Sequence, residues 1–203
     1  VANVKQNILM IFPNDARLQA ITEQIDLPTL SPQTDMYVVL LESIVSQQLS
    51  VKAADTIFKR FLGLFENNYP NPTTLLKFSL DELRAVGLSR QKASYLQAVA
   101  QFHQTKGMDY TTLKDKTDEE IIQYLTQIKG VGKWTVEMLL IFALQRPDVF
   151  AVDDLGIRQA ITKLYGLQEA GKELSQKMLA LAENWKPQRS LACRYLWRWK
   201  DSM

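Results

Sequence analysis

The stretch Ile128-Lys129-Gly130-Val131-Gly132-Lys133-Trp134-Thr135 constrains the fold more than any other part of the chain. Two glycines one residue apart interrupt an apolar pattern of helical period, with Leu125 before them and Val136, Met138, Leu139 and Leu140 after. Glycine admits positive φ and close backbone approach, so the octet predicts a tight joint between two helices. Such a turn exposes successive N–H groups, and a helix starting at about Lys133 adds its own unsatisfied donors. Lys129 and Lys133 flank the turn with positive charge. A bare Gly-x-Gly would be a joint and no more. The longer string reads as a grip on a phosphate, which holds a nucleic-acid backbone without reading its sequence.

Helical periodicity runs along nearly the whole chain. Apolar spacings of three and four predict helices over residues 37–49 and 51–65. Further helical segments are predicted over 73–78, 79–86, 90–105, 118–127, 133–144, 154–165, 172–184 and 187–200. Ser79 with Glu82, and Thr117 with Glu120, have the spacing of capping boxes. Pro187 fits a first helical position. Residues 67–72 read as a loop, broken by Pro70 and Pro72. Strand alternation is confined to Phe150-Ala151-Val152, too short for a sheet. The predicted class is all-α. Ala85-Val86-Gly87-Leu88-Ser89-Arg90-Gln91-Lys92 is a weaker echo of the helix–turn–helix joint.

Composition removes several alternatives. The 203 residues suffice for one large domain or two small lobes with a core. No apolar run reaches the roughly 18 residues of a membrane span. The opening residues, Val1 to Met10, lack the basic start and cleavage site of a secretory leader. The single cysteine, Cys193, excludes an intrachain disulfide and any four-cysteine iron–sulfur or zinc site. His103 is the only histidine, has no triad partners nearby in sequence, and is expected on a solvated helix face. A net charge of +2 permits nucleic-acid binding without arguing for it, so any positive surface has to be local.

Asp153 and Asp154 lead into the helix that begins Leu155-Gly156-Ile157-Arg158. An aspartate here caps free N–H groups and suits the helix dipole, and Asp154 is four residues from Arg158, the spacing of a surface ion pair. Taken alone, that account is sufficient. The chemistry that would need the carboxylate is hydrolysis of an N-glycosidic bond. The sugar then develops oxocarbenium character, which a fixed carboxylate stabilises while it orients or deprotonates water. Sugar hydrolases use a second carboxyl as general acid. An alkylated purine is already cationic and leaves readily, so one carboxylate suffices. Trp134, in the first turn after the glycines, is either core or the wall of a pocket where its π-face stacks on a base. The residues alone do not choose.

Four segments in order match one family. They are Ile44-Val45-Ser46-Gln47-Gln48-Leu49-Ser50-Val51-Lys52-Ala53-Ala54, then Val86-Gly87-Leu88-Ser89-Arg90-Gln91-Lys92-Ala93-Ser94-Tyr95-Leu96. The hairpin follows, with Asp148-Val149-Phe150 and the Asp153-Asp154 pair. Last comes Trp185-Lys186-Pro187-Gln188-Arg189-Ser190, continuing to Ala192 and Tyr195-Leu196-Trp197. Over residues 36–199 the chain resembles the helix-hairpin-helix DNA glycosylase superfamily, in its 3-methyladenine DNA glycosylase II branch.

The resemblance implies two helical lobes with a cleft between them. One is a helical barrel lobe over 36–148 containing the hairpin 128–135, and the other combines 1–35 with 149–203. It implies double-stranded DNA with a damaged base as partner, and an alkylated purine (3-methyladenine or 7-methylguanine) flipped into a pocket. Asp154 matches the catalytic aspartate, which leaves Asp153 as a cap or helper. Lys129, Gly130, Val131, Gly132, Lys133 and Thr135 form the DNA grip. Gln48, polar where some relatives carry an apolar wedge, fills the space left by the flipped nucleotide, with Leu49 sharing the task. The carbonyls of Thr126, Ile128 and Val131 match positions that hold sodium or potassium in some relatives, and no other cofactor is expected. Trp134 then gains as a pocket wall, since an aromatic face attracts a cationic purine by about 0.5–2 kcal/mol. Met138, one turn on, is expected in the same pocket. Lys52, Arg90 and Lys92 are candidate phosphate contacts, while Tyr195, Trp197 and Trp199 are expected in the core.

Two departures carry further expectations. Relatives that also cut the strand place a lysine nucleophile where this chain has Trp134, so base release without strand cleavage is expected. Larger bacterial relatives carry an extra N-terminal domain, for which the residues before the match leave no room, so pocket residues from that domain are missing or replaced. A monomer acting inside the cell with the DNA (nucleoid or nucleus), and not at a membrane, is expected. The competing readings are a non-catalytic DNA-binding or damage-sensing protein and a glycosylase for hypoxanthine, uracil or an oxidised base. Asp154 argues for an enzyme, because a pure binding module gains nothing from a carboxylate facing an anionic backbone.

Overall fold

Polar residues placed to close helix ends explain most of the element boundaries. The computed structural model describes residues 12–31, 33 and 35–202, so the residues read for a leader, Val1 to Met10, lie outside it. Every regular element among the described residues is helical, and Phe150-Ala151-Val152 forms no strand. In chain order the helices are α1 (Ala16–Thr22), α2 (Met36–Ser46), α3 (Val51–Leu62), α4 (Pro72–Leu75), α5 (Leu80–Ala85), α6 (Arg90–Lys106), α7 (Tyr110–Leu113), α8 (Asp118–Leu125), α9 (Lys133–Met138), α10 (Leu155–Tyr165), α11 (Gly171–Ala182) and α12 (Arg189–Asp201). Both capping boxes form, Ser79 with Glu82 and Thr117 with Glu120, and these hydrogen bonds lower the pKa of each glutamate. Asp15, Asp35, Ser50, Asn71, Ser89 and Asp154 cap six further starts, while α7, α9, α11 and α12 begin without a side-chain cap.

Three expectations change. Pro187 does not open α12. It follows a cis peptide bond in the preceding turn, which Gln188 N–H closes on the Trp185 carbonyl at 2.7 Å. The helix expected over 133–144 changes pitch, α9 giving way to a π-helical turn over Leu139–Ala143. His103 is only half-exposed: its ring stacks on Tyr37 at 4.7 Å between centroids, with Nδ1 buried.

The chain divides into two units, Pro32–Leu139 and Val1–Ser31 with Leu140–Met203. In the first, α2 is the axis. Its Met36, Tyr37, Leu40, Leu41, Ile44 and Val45 are all buried. It packs on α3 and α6, while α6 receives α4 and α5, and α8 packs on α9. Phe58, Phe61, Phe65 and Phe78 form a chain of ring contacts at the end of α3.

In the second unit α10 packs on α12, and α12 on α1. A buried carboxylate fastens α1. Asp15 Oδ1 accepts from Leu18 N–H at 2.9 Å and so caps the helix. Its Oδ2 accepts from the Tyr165 hydroxyl at 2.5 Å and from Trp185 Nε1 at 2.7 Å. Burial and the adjacent carboxylate push the Tyr165 phenol well above its usual range, so it remains a donor. Trp185 is fully buried. Removing the acceptor leaves two interior donors and a helix start unsatisfied. Asp15→Ala is therefore expected to destabilise this unit by about 3 kcal/mol, and Asp15→Asn by less. Chemical denaturation measures both; an unchanged midpoint for Asp15→Ala would show that the clasp contributes nothing.

Candidate active site and hairpin

The predicted joint lies in the Pro32–Leu139 unit as α8, a turn, and α9. Ile128 N–H bonds to the Leu125 carbonyl at 3.1 Å and Val131 N–H to the Ile128 carbonyl at 3.0 Å, which winds the chain back. The two glycines serve different ends. Gly130 has φ +92°, and a Cβ there would sit 2.2 Å from Cγ of Tyr95, so backbone and packing both require glycine. Gly132 has φ −94° and ψ 169°, which any residue adopts, and nothing lies within 4 Å of where its Cβ would be. Its bare Cα opens outward, leaving the backbone approachable.

The side chains of the hairpin divide as well. Lys129 is exposed. Lys133 is half-exposed, with Nζ 3.4 Å from Oε1 of Glu137, whose side chain is only 4% exposed. Thr135, expected in the grip, is buried in the first turn of α9, and so is the Val131 side chain; neither offers a side chain outward. Trp134 is 43% exposed, which excludes a core role.

Trp134 meets another predicted segment of the same unit. It lines a cavity of about 450 Å³ with Ser43 and Ser46 of α2 and with Gln47 and Gln48 just beyond. Met138, half-buried, does not border this cavity. Gln48 is exposed with φ +59°, and Leu49 is 39% exposed. Lys52 and Arg90 are exposed. Lys92, a third candidate phosphate contact, turns inward: Nζ donates to the carbonyls of Val45 at 2.7 Å and Gln47 at 2.6 Å.

Asp154 lies in the other unit, at the start of α10, and is 9% exposed. Its Oδ1 accepts from Ile157 N–H at 2.8 Å, the cap expected from its position. The same oxygen accepts from Trp197 Nε1 of α12 at 2.7 Å. Gly156 makes room for this pair. A Cβ on it would lie 3.0 Å from Trp197 Cδ1 and 3.1 Å from Asp154 Oδ1. Trp197 also stacks on Phe142, with centroids 5.5 Å apart. Asp153 is exposed, so the second aspartate and not the first is the cap. Arg158, expected to pair with Asp154, instead donates to Ser175 Oγ at 2.8 Å and to the Val152 and Gly171 carbonyls.

Trp197 is a site residue that the sequence placed in the core. Tyr195 is buried as expected, but Trp197 is only half-buried and bonded to the carboxylate. No periodicity links positions 43 residues apart. Its partner's support was equally hidden. Arg189 makes a two-pronged ion pair with Asp148, at 2.8 and 2.9 Å, and Ser190 N–H bonds to the Pro147 carbonyl at 3.0 Å. These bonds fasten the chain ahead of Asp154 to the start of α12. Among the described residues no group of three or more His, Cys, Asp or Glu side chains is placed to hold a metal ion, and no helix is long and apolar enough to cross a membrane.

Comparison with known proteins agrees with this arrangement. Residues 41–187 match the model of the HhH-GPD superfamily of base excision DNA repair proteins. DNA-3-methyladenine glycosylase 1 of Schizosaccharomyces pombe is 39% identical over 167 residues, covering 80% of this chain and 71% of its own length. Putative DNA-3-methyladenine glycosylase YfjP of Bacillus subtilis is 31% identical over 202 residues, covering 97% of this chain and 69% of its own. Among solved structures, the Schizosaccharomyces pombe enzyme Mag1 in complex with abasic DNA superposes with a TM-score of 0.82 at 32% identity, over 94% of this chain and 95% of that one. A DNA-3-methyladenine glycosidase from Bacillus halodurans gives 0.83 at 33% identity, over 95% and 88%. The match spans well over half of the chain and includes the hairpin and Asp154: this protein belongs to the HhH-GPD superfamily of base excision DNA repair proteins.

Proposed function

We propose that this protein is a monofunctional DNA glycosylase that releases alkylated purines, of the 3-methyladenine and 7-methylguanine type, from double-stranded DNA and leaves an abasic site. One observation carries the reading: Asp154 is a largely buried carboxylate held in a single orientation by Ile157 N–H and the Trp197 indole. A cap alone needs only the first of these bonds.

The chemistry follows from the charges. The bond between sugar C1′ and the purine nitrogen breaks with its electron pair going to the base, which leaves neutral because alkylation had made it cationic. The sugar takes up the positive charge. Asp154 stabilises that charge at no cost in reorganisation, since its orientation is already fixed. Water adds to C1′, and its proton passes to the carboxylate or solvent. The exposed face of Trp134 offers the aromatic surface that a cationic purine favours. Gln48, at the same cavity's rim, and the adjacent Leu49, both exposed, fill the space left in the duplex.

Strand cleavage needs a lysine to form a Schiff base with the sugar. Trp134 stands at that position, and the neighbouring Lys133 has Glu137 as an ion-pair partner. The hairpin binds phosphate through backbone exposed at Gly132 and through Lys129. The carbonyls of Thr126, Ile128 and Val131 are neutral oxygen donors, a set suited to sodium or potassium. The Ile128 oxygen keeps one lone pair beyond the Val131 hydrogen bond. A bound cation there would add positive charge beside the phosphate.

Four outcomes test the proposal. Methylated duplex DNA incubated with the wild type is expected to release free 3-methyladenine and 7-methylguanine, with strands broken only after alkali. Asp154→Asn is expected to lower release at least about a hundredfold while DNA binding is kept. Equal loss of release and binding would reduce Asp154 to a structural cap. Trp197→Phe, which keeps the ring and removes the donor, is expected to lower release about tenfold or more, and full activity would show that the indole bond is dispensable. Gly132→Asp is expected to weaken binding to all sequences alike, on the order of tenfold. Gly130→Asp is a poor probe, since it collides with Tyr95.

A further inference from the structure

We infer that Lys92 is a positioning residue, whose ammonium holds the loop 46–50 in the shape that presents Gln48 and Leu49 to DNA. The inference rests on the glycosylase reading above for the loop's task, and on the loop's own geometry for its mechanism.

The loop is held against its backbone preference. Helix α2 ends at Ser46, Gln47 turns to φ −50° and ψ 129°, and Gln48 enters the left-handed region at φ +59°. Leu49 N–H then returns to the Ser46 carbonyl at 3.2 Å, and Ser50 caps α3. For a glutamine the left-handed conformation is unfavourable and persists only where its surroundings impose it. Packing is a weak source of that restraint here. A cavity of about 230 Å³ borders the loop, reaching from Gln48 and Leu49 to Ile57, Leu88 and Lys92. Both loop side chains are exposed on their other side.

Polar bonds supply the restraint. The last carbonyls of a helix lack intrahelical donors, and a cation is favoured at that end. Lys92 Nζ donates to Val45 and Gln47, one carbonyl on each side of Ser46. It reaches them from the first turn of α6, which Ser89 fixes by accepting from Lys92 N–H at 3.1 Å. Partial burial of the ammonium lowers the pKa of Lys92. Two of its three protons point at backbone. Its charge therefore serves the loop rather than a phosphate.

The test uses Lys92→Met, Lys92→Arg, the double variant Gln48→Ala with Leu49→Ala, and the triple variant that adds Lys92→Met. The probe is a duplex carrying a tetrahydrofuran abasic analogue beside 2-aminopurine, compared with an intact duplex. Wild type is expected to prefer the abasic duplex and to raise 2-aminopurine fluorescence by unstacking it. Lys92→Met is expected to lose about tenfold of that preference and most of the fluorescence rise. Its affinity for intact duplex, and the salt dependence of that affinity, are expected to stay unchanged. Lys92→Arg restores most of the effect. In the Gln48 and Leu49 double variant, Lys92→Met adds nothing, because both changes remove the same contribution. A Lys92→Met protein that keeps preference and fluorescence overturns the inference, as do additive effects, an equal fall in intact-duplex binding, or a wild type that unstacks nothing. Release of methylated purines is measured in parallel. A wild type that unstacks the probe but releases no base would sink the glycosylase reading and leave the Lys92 result standing.

Discussion

The first N–H groups and last carbonyls of each helix have no partner within it, and in an all-helical chain this is the constraint from which the polar architecture follows. Asp15 and Asp154 sit at helix starts, and Lys92 attends the end of α2. In each case one side chain does two things. It closes the helix end and bonds to a second element. Asp15 ties α1 to Tyr165 and Trp185, Lys92 ties α6 to the loop after α2, and Asp154 ties α10 to α12 through Trp197. Capping positions are where charged groups are most cheaply held in a helical protein, so they are also where fixed charge is available for chemistry.

The hairpin shows how a short motif mixes fold and function. Gly130 is explained wholly from inside, by its positive φ and by the Tyr95 ring. Gly132 has neither reason, and its open face is the part of the turn that another molecule can approach. The flanking lysines are likewise unequal. Lys129 is exposed, whereas Lys133 answers a buried glutamate one turn along the helix. That pairing balances the charge of Glu137, which would otherwise be costly to bury.

Much was legible in the sequence, and the reason is local. Helical class, both capping boxes, the glycine joint and the capping role of Asp154 depend on residues within four positions of one another. Errors arose where one pattern serves two ends. Thr135 stands beside the glycine hairpin and is buried by the helix it begins, and His103 lies on a polar stretch yet stacks on Tyr37. Pro187 has the look of a helix opener and occupies the turn before it.

The sequence by itself determined an all-helical chain of the HhH-GPD superfamily, with a glycine hairpin and an aspartate at a helix start, because periodicity, caps and ordered motifs are written in neighbouring residues. Only the tertiary structure decided how those residues are held. It brought the Trp197 indole to Asp154, turned Lys92 onto the backbone of the loop after α2, and left Trp134 exposed beside Gln48. Each of these joins positions dozens of residues apart. Side-chain direction at such distances is set by packing between helices, which no local pattern encodes.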